Sequence, residues 1–269
     1  MSAVHAAGIG NVPGSRRARH VPLSIPAAIV AAWAVALVAQ LSGKAAALHH
    51  DALVHSHLPT WVALLLFLVA WQVMIAAMML PSSLPMLRLF SQASAAQPRR
   101  RTVMAVFVGS YVVLWSAFGA VAFLGDVRLH HLVDATPWLE SQPWLIAGSI
   151  LALAGVFQFT PLKDRCLREC RHPGAILLQH YRRGVDGAIR LGVRHAAFCV
   201  GCCWALMLLM FGAGVANLWW MAALTGVMVY EKVGRYGRRI TPFVGFALIE
   251  LAALVLWHPA WLPASFSAA

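Results

Sequence analysis

The sequence has few charged residues and lacks the motifs of common soluble enzymes. Asp, Glu, Lys and Arg make up only 11% of its 269 residues, well below the usage of soluble domains. It contains no phosphate-binding glycine loop, no His-Glu-x-x-His motif and no serine-centred catalytic motif. It also lacks the alternating pattern of membrane β-barrels and any convincing internal repeat. These absences argue against a nucleotide-dependent enzyme, a hydrolase of these classes, a barrel and an inverted-repeat transporter.

Apolar residues dominate the composition of the chain. They make up 61% of the chain, and the mean hydropathy is +0.73. Because a bilayer core needs roughly 20 apolar residues per helical crossing, the sequence predicts an all-α, polytopic transmembrane helix bundle with about seven spans. Pro81 and Pro85 are expected to end the second span, and the sixth is short for a full crossing. The predicted spans are approximately 24–41, 60–80, 102–124, 143–159, 195–215, 218–230 and 242–257.

The basic residues predict the orientation of the chain. Nineteen of the 21 Lys and Arg residues fall in segments on one side of the predicted spans, and only Lys44 and Arg128 fall on the other. The positive-inside rule therefore places the N-terminus inside and the C-terminus outside. The net charge of +12 reflects this topology, so the lipid bilayer and not nucleic acid is the expected partner.

The same pattern predicts the domain organisation and the location. Residues 1–21 form a flexible basic cytoplasmic arm, residues 22–258 a single transmembrane domain, and residues 259–269 a short exterior tail. No cleavable signal peptide is evident. The expected location is the bacterial inner, or cytoplasmic, membrane, with several passes.

Two of the five cysteines lie just past the fourth predicted span, in Cys166-x-x-x-Cys170-x-His172. On a helix, Cys166 and Cys170 share a face, and His172 could fold back where Pro173 ends the helix. Two thiolates and an imidazole suit Cu(I) or Zn(II). Basic neighbours are expected to lower the thiol pKa. The alternative is two unreactive thiols in a basic loop.

The other three thiols lie in the fifth predicted span. Helical spacing places its soft ligands along one stripe: His195, Cys199, Cys202, Cys203, Met207 and Met210. Small thiols also pack well between membrane helices. Three of them within five residues, beside a histidine, nevertheless favour metal ligation.

Other residues could contribute to a metal pathway. Met74 and Met78, near the inner end of the second span, offer thioethers for Cu(I), although methionine is also a common core residue. Glu250 lies in the middle of the last span and is expected to face a partner (Gln158, Gln72 or a histidine) or to accept a proton. Glu231 and Lys232 are predicted to form an ion pair at the membrane interface. The predicted exterior side carries a histidine cluster: His49, His50, His55, His57, His130, His131 and His258.

Three segments together resemble a bacterial family of predicted metal-binding integral membrane proteins, a domain of unknown function sometimes labelled copper chaperone. They are Trp71-Gln-Val-Met-Ile-Ala-Ala-Met-Met-Leu-Pro81, Phe157-Gln-Phe-Thr-Pro-Leu-Lys163 with the following Cys166-x-x-x-Cys170-Arg-His-Pro173, and Cys199-Val-Gly-Cys-Cys-Trp-Ala-Leu-Met207. The similarity runs from about residue 61 to residue 254. It implies a metal, copper above all, and supplies no mechanism.

The leading hypothesis is a membrane protein that handles Cu(I), with zinc as the alternative metal, through a Cys and Met site near the cytoplasmic leaflet. Chaperone, delivery and transport roles all remain open, as does a partner protein that donates or accepts copper. The expected protein is not an enzyme. The alternatives are a membrane thiol-disulfide oxidoreductase, which the lack of thiols on the predicted exterior side, where disulfides are made, disfavours, and an assembly subunit whose thiols only pack.

Overall fold

The computed structural model describes residues 22–43, 53, 58–213 and 217–258. The secondary structure across these residues is helical. The predicted N-terminal arm, the exterior tail and the histidines at 49, 50, 55 and 57 lie outside the described residues. The helices are α1 (Ser24–Leu41), α2 (Thr60–Ala93), α3 (Arg100–Asp134), α4 (Pro137–Glu140), α5 (Pro143–Phe157), α6 (Pro161–Arg171), α7 (Pro173–His180), α8 (Gly184–Ala213), α9 (Leu218–Val233) and α10 (Gly237–Trp257).

Five helices are long and apolar enough to cross a bilayer: α1, α2, α3, α8 and α10. The pair α5 and α6 gives a sixth if it counts as one span, bent by 64°. The helical bundle is therefore confirmed, with five or six such spans among the described residues in place of the predicted seven. With 16 residues, α9 is shorter than a crossing requires.

The exposed surface of these helices is also apolar. In the most hydrophobic window of α1, only 17% of the residues are buried, and large side chains such as Val30 and Val38 are mostly exposed. Contiguous apolar surface of this kind is unusual on a soluble monomer. The long apolar helices are compatible with a membrane protein.

Proline does not end α2, contrary to the sequence prediction. The helix continues through Pro81 and Pro85 to Ala93. Proline at position 81 removes the hydrogen bond that the carbonyl of Ala77 would normally accept. The indole nitrogen of Trp33, on α1, donates to this carbonyl at 3.1 Å. A neighbouring helix thus satisfies the freed backbone group, which is how membrane helices tolerate internal proline.

Helix α8 lies at the centre of the bundle and packs against α3, α5, α6, α7 and α9. Around it, α1 packs on α2, α2 on α3 and α9, and α10 on α5. Close approach of α2 and α3 depends on Gly119, because a Cβ atom there would lie 2.6 Å from the indole nitrogen of Trp71. That nitrogen instead donates to the carbonyl of Trp115 at 2.9 Å. This arrangement encloses the thiol segment of α8 on all sides.

Candidate metal centre

Helix α6 presents both of its thiols on one buried face. Thr160 caps its start by accepting a hydrogen bond from the Lys163 backbone at 3.2 Å, and Pro161 occupies the first turn, where proline is tolerated. The buried residues recur at helical spacing: Lys163, Cys166, Leu167 and Cys170. The predicted shared face of Cys166 and Cys170 is therefore confirmed, and it is directed at α8.

Three thiols from two helices lie close together. The sulfur atoms of Cys170 and Cys202 are 3.7 Å apart, and those of Cys202 and Cys203 are 3.3 Å apart. All three side chains are buried. The Cys202 thiol also donates to the carbonyl of Cys199 at 3.2 Å. We call these three residues the thiol cluster. It joins the two cysteine motifs that are separate in the sequence.

Cys166 approaches α8 at Gly201, the residue that precedes Cys202. A Cβ atom on Gly201 would lie 2.7 Å from the Cys166 sulfur, so only glycine leaves room for this thiol. Burial raises the pKa of Cys166, although the nearby Arg165 charge acts in the opposite direction. The basic neighbours act on this pKa in the expected direction, but desolvation outweighs them.

Cys199 is directed toward a different set of partners. Its sulfur lies 3.0 Å from the phenol oxygen of Tyr111 on α3 and 3.0 Å from the ammonium nitrogen of Lys232 on α9. The predicted stripe is therefore not a single face toward one site. Cys202 is directed toward α6, whereas Cys199 is directed toward α3 and α9.

A buried ion pair fixes the helices that carry these thiols. Lys163 and Glu231 meet at 2.7 Å with side chains that are 0% and 1% exposed, and Lys163 also donates to the Cys202 carbonyl at 2.8 Å. Arg171 donates to the carbonyls of Glu231 and Gly234, at the end of α9 where helix carbonyls lack partners. These contacts connect α6 to both α8 and α9. The predicted pairing of Glu231 with Lys232 was wrong.

The two predicted histidine ligands lie apart from the thiol cluster. His172 is exposed, and its Nδ1 atom lies 2.8 Å from the carbonyl of Arg168, so it does not fold back onto the thiols. His195 is buried and stacks near Tyr111 and Phe107, with ring centroids at 5.7 and 6.2 Å. Neither of its ring nitrogens has a hydrogen-bond partner among the described residues.

The predicted methionine ligands belong to the same apolar core as the thiols. Met74, Met78 and Met207 are 2%, 0% and 0% exposed, and they cluster with all five cysteines. Their role as ligands stays a prediction. Glu250 is exposed on α10 and is not enclosed with its proposed partners: Gln72 donates to Ser116 at 2.8 Å, while Gln158 is buried without a described partner.

Within the described part of the chain, no three His, Cys, Asp or Glu side chains converge as a formed metal centre requires. The thiol cluster offers pairs of close sulfurs rather than a complete coordination shell. The five cysteines are all free thiols. Their sulfur atoms are soft donors, which select Cu(I) and other thiophilic ions over magnesium or calcium. The donor set therefore fits a soft metal ion.

Several residues at this site were missed or misread in the sequence: Ser82, Ser83, Tyr111, Lys163, Glu231 and Lys232. A signal exists for some of them. Lys163 lies three residues before Cys166 and seven before Cys170, on the same face of α6. The buried positions of α9, Met221, Leu224 and Met228, extend by helical spacing to residues 231 and 232. The tyrosine and the two serines carry no comparable signal.

The fold and the site together define a bundle of apolar helices with a buried thiol cluster. The copper chaperone family PpoB2 matches residues 68–255, and the chain belongs to this family. The match covers the three segments that carried the resemblance and confirms it. No curated protein matches, and no solved structure matches.

Proposed function

We propose that this protein is an integral membrane copper chaperone that binds Cu(I) at the thiol cluster. The observation that carries the proposal is the 3.7 Å separation of the Cys170 and Cys202 sulfurs. Metal–sulfur bonds of about 2.3 Å place two sulfurs of one tetrahedral centre about 3.8 Å apart and two sulfurs of one trigonal centre about 4.0 Å apart. The two thiols therefore suit a shared ion without a large movement of α6 or α8.

The chemistry of the ion supports copper. Cu(I) has a filled d shell and accepts as few as two or three ligands, so the two thiolates need only one further soft donor to complete a trigonal site. Cys203 lies within reach as a further sulfur, since its distance to Cys202 is 3.3 Å. Thioethers in the same core, such as Met207, are neutral soft donors that suit Cu(I) and need no deprotonation. Zinc is the alternative metal, and it prefers four ligands.

The proposed setting is a bacterial inner membrane, with the N-terminus and the thiol cluster toward the cytoplasm. The uneven distribution of Lys and Arg supports this orientation. In this arrangement the cluster exchanges copper with a soluble donor or acceptor protein. Reporter fusions at the N- and C-termini test the topology; an N-terminus on the exterior would contradict it.

Metal binding is tested by titrating the purified, reduced chain with Cu(I) in competition with a chelator of known affinity. We expect Cys170→Ser and Cys202→Ser to lower the number of bound copper ions, because each removes one sulfur of the pair. Ala196→Ser is the matched control, since it places a hydroxyl at another buried position of α8 without removing a thiol. Unchanged stoichiometry in both cysteine variants would refute the proposal.

The same pair of sulfurs favours a second candidate, a membrane thiol-disulfide oxidoreductase. Attack of one thiolate on a substrate disulfide would be resolved by the other thiol. This candidate is separated from the first by trapping: Cys170→Ser should accumulate a mixed disulfide with a substrate protein through Cys202 if the chain exchanges disulfides. A copper chaperone accumulates none.

A further inference from the structure

Lys232 is a buried cation beside a thiol. The residue is 6% exposed, and its ammonium nitrogen lies 3.1 Å from the Ser82 hydroxyl and 3.0 Å from the Cys199 sulfur. Among the described residues no carboxylate pairs with it, because the neighbouring Glu231 pairs with Lys163. Buried charges are normally paired, since an isolated one is costly to remove from water. The groups that can supply the opposite charge are the thiols.

The hydrogen-bond network identifies Cys199 as an acceptor. The Ser82 hydroxyl donates to the Met79 carbonyl at 2.9 Å, so its oxygen is free to accept from Lys232. The Ser83 hydroxyl donates to the Tyr111 oxygen at 3.2 Å, which leaves the phenol hydrogen for the Cys199 sulfur.

Cys199 therefore accepts hydrogen bonds from two sides, a phenol and an ammonium. A neutral thiol is a weak acceptor, whereas a negatively charged sulfur forms strong charge-assisted bonds with such donors. A neutral Cys199 thiol leaves the charge of Lys232 uncompensated, so Lys232 places an available positive charge one helical turn from Cys202 and Cys203.

Building on the proposed function, we propose that Lys232 is the counter-charge of the metal-loaded thiol cluster and selects a monovalent ion. Cu(I) on two thiolates carries a net charge of −1, and Lys232 brings the buried assembly to zero. Each thiol that becomes a ligand releases its proton to solvent. Zn(II) on the same two thiolates is already neutral, which leaves Lys232 uncompensated. Zn(II) reaches the same balance only if Cys203 becomes a third thiolate ligand. On the Cys170 and Cys202 pair, therefore, only the monovalent ion is balanced in this apolar interior.

The test compares Cu(I) and Zn(II) affinities of the purified, reduced full-length chain by chelator competition. Lys232→Met removes the charge and keeps most of the side-chain length. The order of magnitude follows from Coulomb's law: two unit charges about 6 Å apart, at an effective dielectric constant of about 20, interact by an energy equivalent to about 100-fold in affinity. We expect Lys232→Met to weaken Cu(I) binding by about that factor. In a Cys203→Ser background, which limits Zn(II) to the Cys170 and Cys202 pair, the same substitution should leave Zn(II) binding unchanged or tighter.

Ser82→Ala is the matched control, because it removes the other partner of Lys232 and keeps the charge; its Cu(I) affinity should stay within a few fold of the unmodified chain. The double variant Lys232→Met with Cys199→Ser removes the cation and its partner together, so that misfolding caused by one unpaired group does not explain the result. Relative to Cys199→Ser alone, it should show the same loss of Cu(I) affinity.

Three outcomes would overturn the inference: Cu(I) affinity unchanged by Lys232→Met, equal losses for both metals in the Cys203→Ser background, or no loss in the double variant relative to Cys199→Ser. Failure of the proposed function is distinct, since it is the absence of cysteine-dependent Cu(I) binding in the unmodified chain.

Discussion

Removing one member of the Lys163–Glu231 pair should destabilise the protein more than removing both. The pair is fully buried, with nitrogen and oxygen 2.7 Å apart, and the second carboxylate oxygen of Glu231 has no described partner. Lys163→Met would leave an uncompensated carboxylate in the core. Breaking a buried ion pair from one side costs about 3–5 kcal/mol, so we expect the free energy of unfolding to fall by that amount.

The double variant, Lys163→Met with Glu231→Gln, removes both charges. Replacing a buried pair by neutral groups is often close to neutral in stability. Here Lys163 also donates to the Cys202 carbonyl, and the loss of this bond to a charged donor costs about 1.5–3 kcal/mol. We therefore expect the double variant to be less stable than the unmodified chain and more stable than Lys163→Met.

The assay is a double-mutant cycle in detergent micelles, with unfolding followed by circular dichroism during titration with a denaturing detergent. Arg168→Met, on the exposed face of α6, is the matched control and should change stability little, because an exposed ion pair contributes about 1 kcal/mol at most. Additive losses in the double variant would refute the reasoning, since they would show that Lys163 and Glu231 are not coupled.

Three further predictions concern single contacts. Gly201→Ala should force the Cys166 thiol to rotate away and lower the free energy of unfolding by about 1–3 kcal/mol through overpacking. Unchanged Cu(I) stoichiometry in this variant would remove Cys166 from the ligand set. Gly226→Ala, with open space around its Cβ position, is the control. Trp33→Phe should cost about 0.5–1.5 kcal/mol through the lost bond to Ala77, and less in a Pro81→Ala background, where a backbone N–H can replace the indole; an equal cost in both backgrounds would contradict this. Tyr111→Phe removes one donor to Cys199 and should weaken Cu(I) binding less than Lys232→Met does, because a neutral phenol supplies no charge; a larger loss would contradict the assignment of the counter-charge to Lys232.

The sequence predicts the helices well where apolar periodicity is uninterrupted. The first predicted span, 24–41, coincides with α1 (Ser24–Leu41). The prediction fails at Pro81 because the rule that proline ends a helix treats the helix in isolation. In the folded chain, Trp33, which lies 44 positions before Ala77, supplies the missing donor. Such a compensation is a tertiary contact, and no local pattern records it.

The sequence predicts which sulfur atoms form the candidate site, but it does not predict the partners of the charged residues there. Three thiols within five residues and a Cys-x-x-x-Cys pair are recognisable from spacing, and the structure brings Cys170 and Cys202 together. Glu231 and Lys232 are adjacent in sequence, and this adjacency predicts that they pair with each other. On a helix, adjacent side chains diverge by about 100°, so the carboxylate reaches α6 while the ammonium reaches Cys199 on α8.

Because these two side chains diverge, the end of α9 contacts both α6 and α8 at the site. One turn of this helix supplies an anion that fixes Lys163, and through Lys163 the Cys202 backbone, and a cation that faces the Cys199 sulfur. The first contact holds α6 against α8, which sets the distance between the Cys170 and Cys202 thiols. The second contact places a positive charge beside Cys199, one helical turn from Cys203. Exchanging the two residues, as Glu231→Lys with Lys232→Glu, would preserve composition, net charge and helix propensity. It would nevertheless set like charges against Lys163 and against the thiols, so the order of these two residues determines both the geometry and the electrostatics of the cluster.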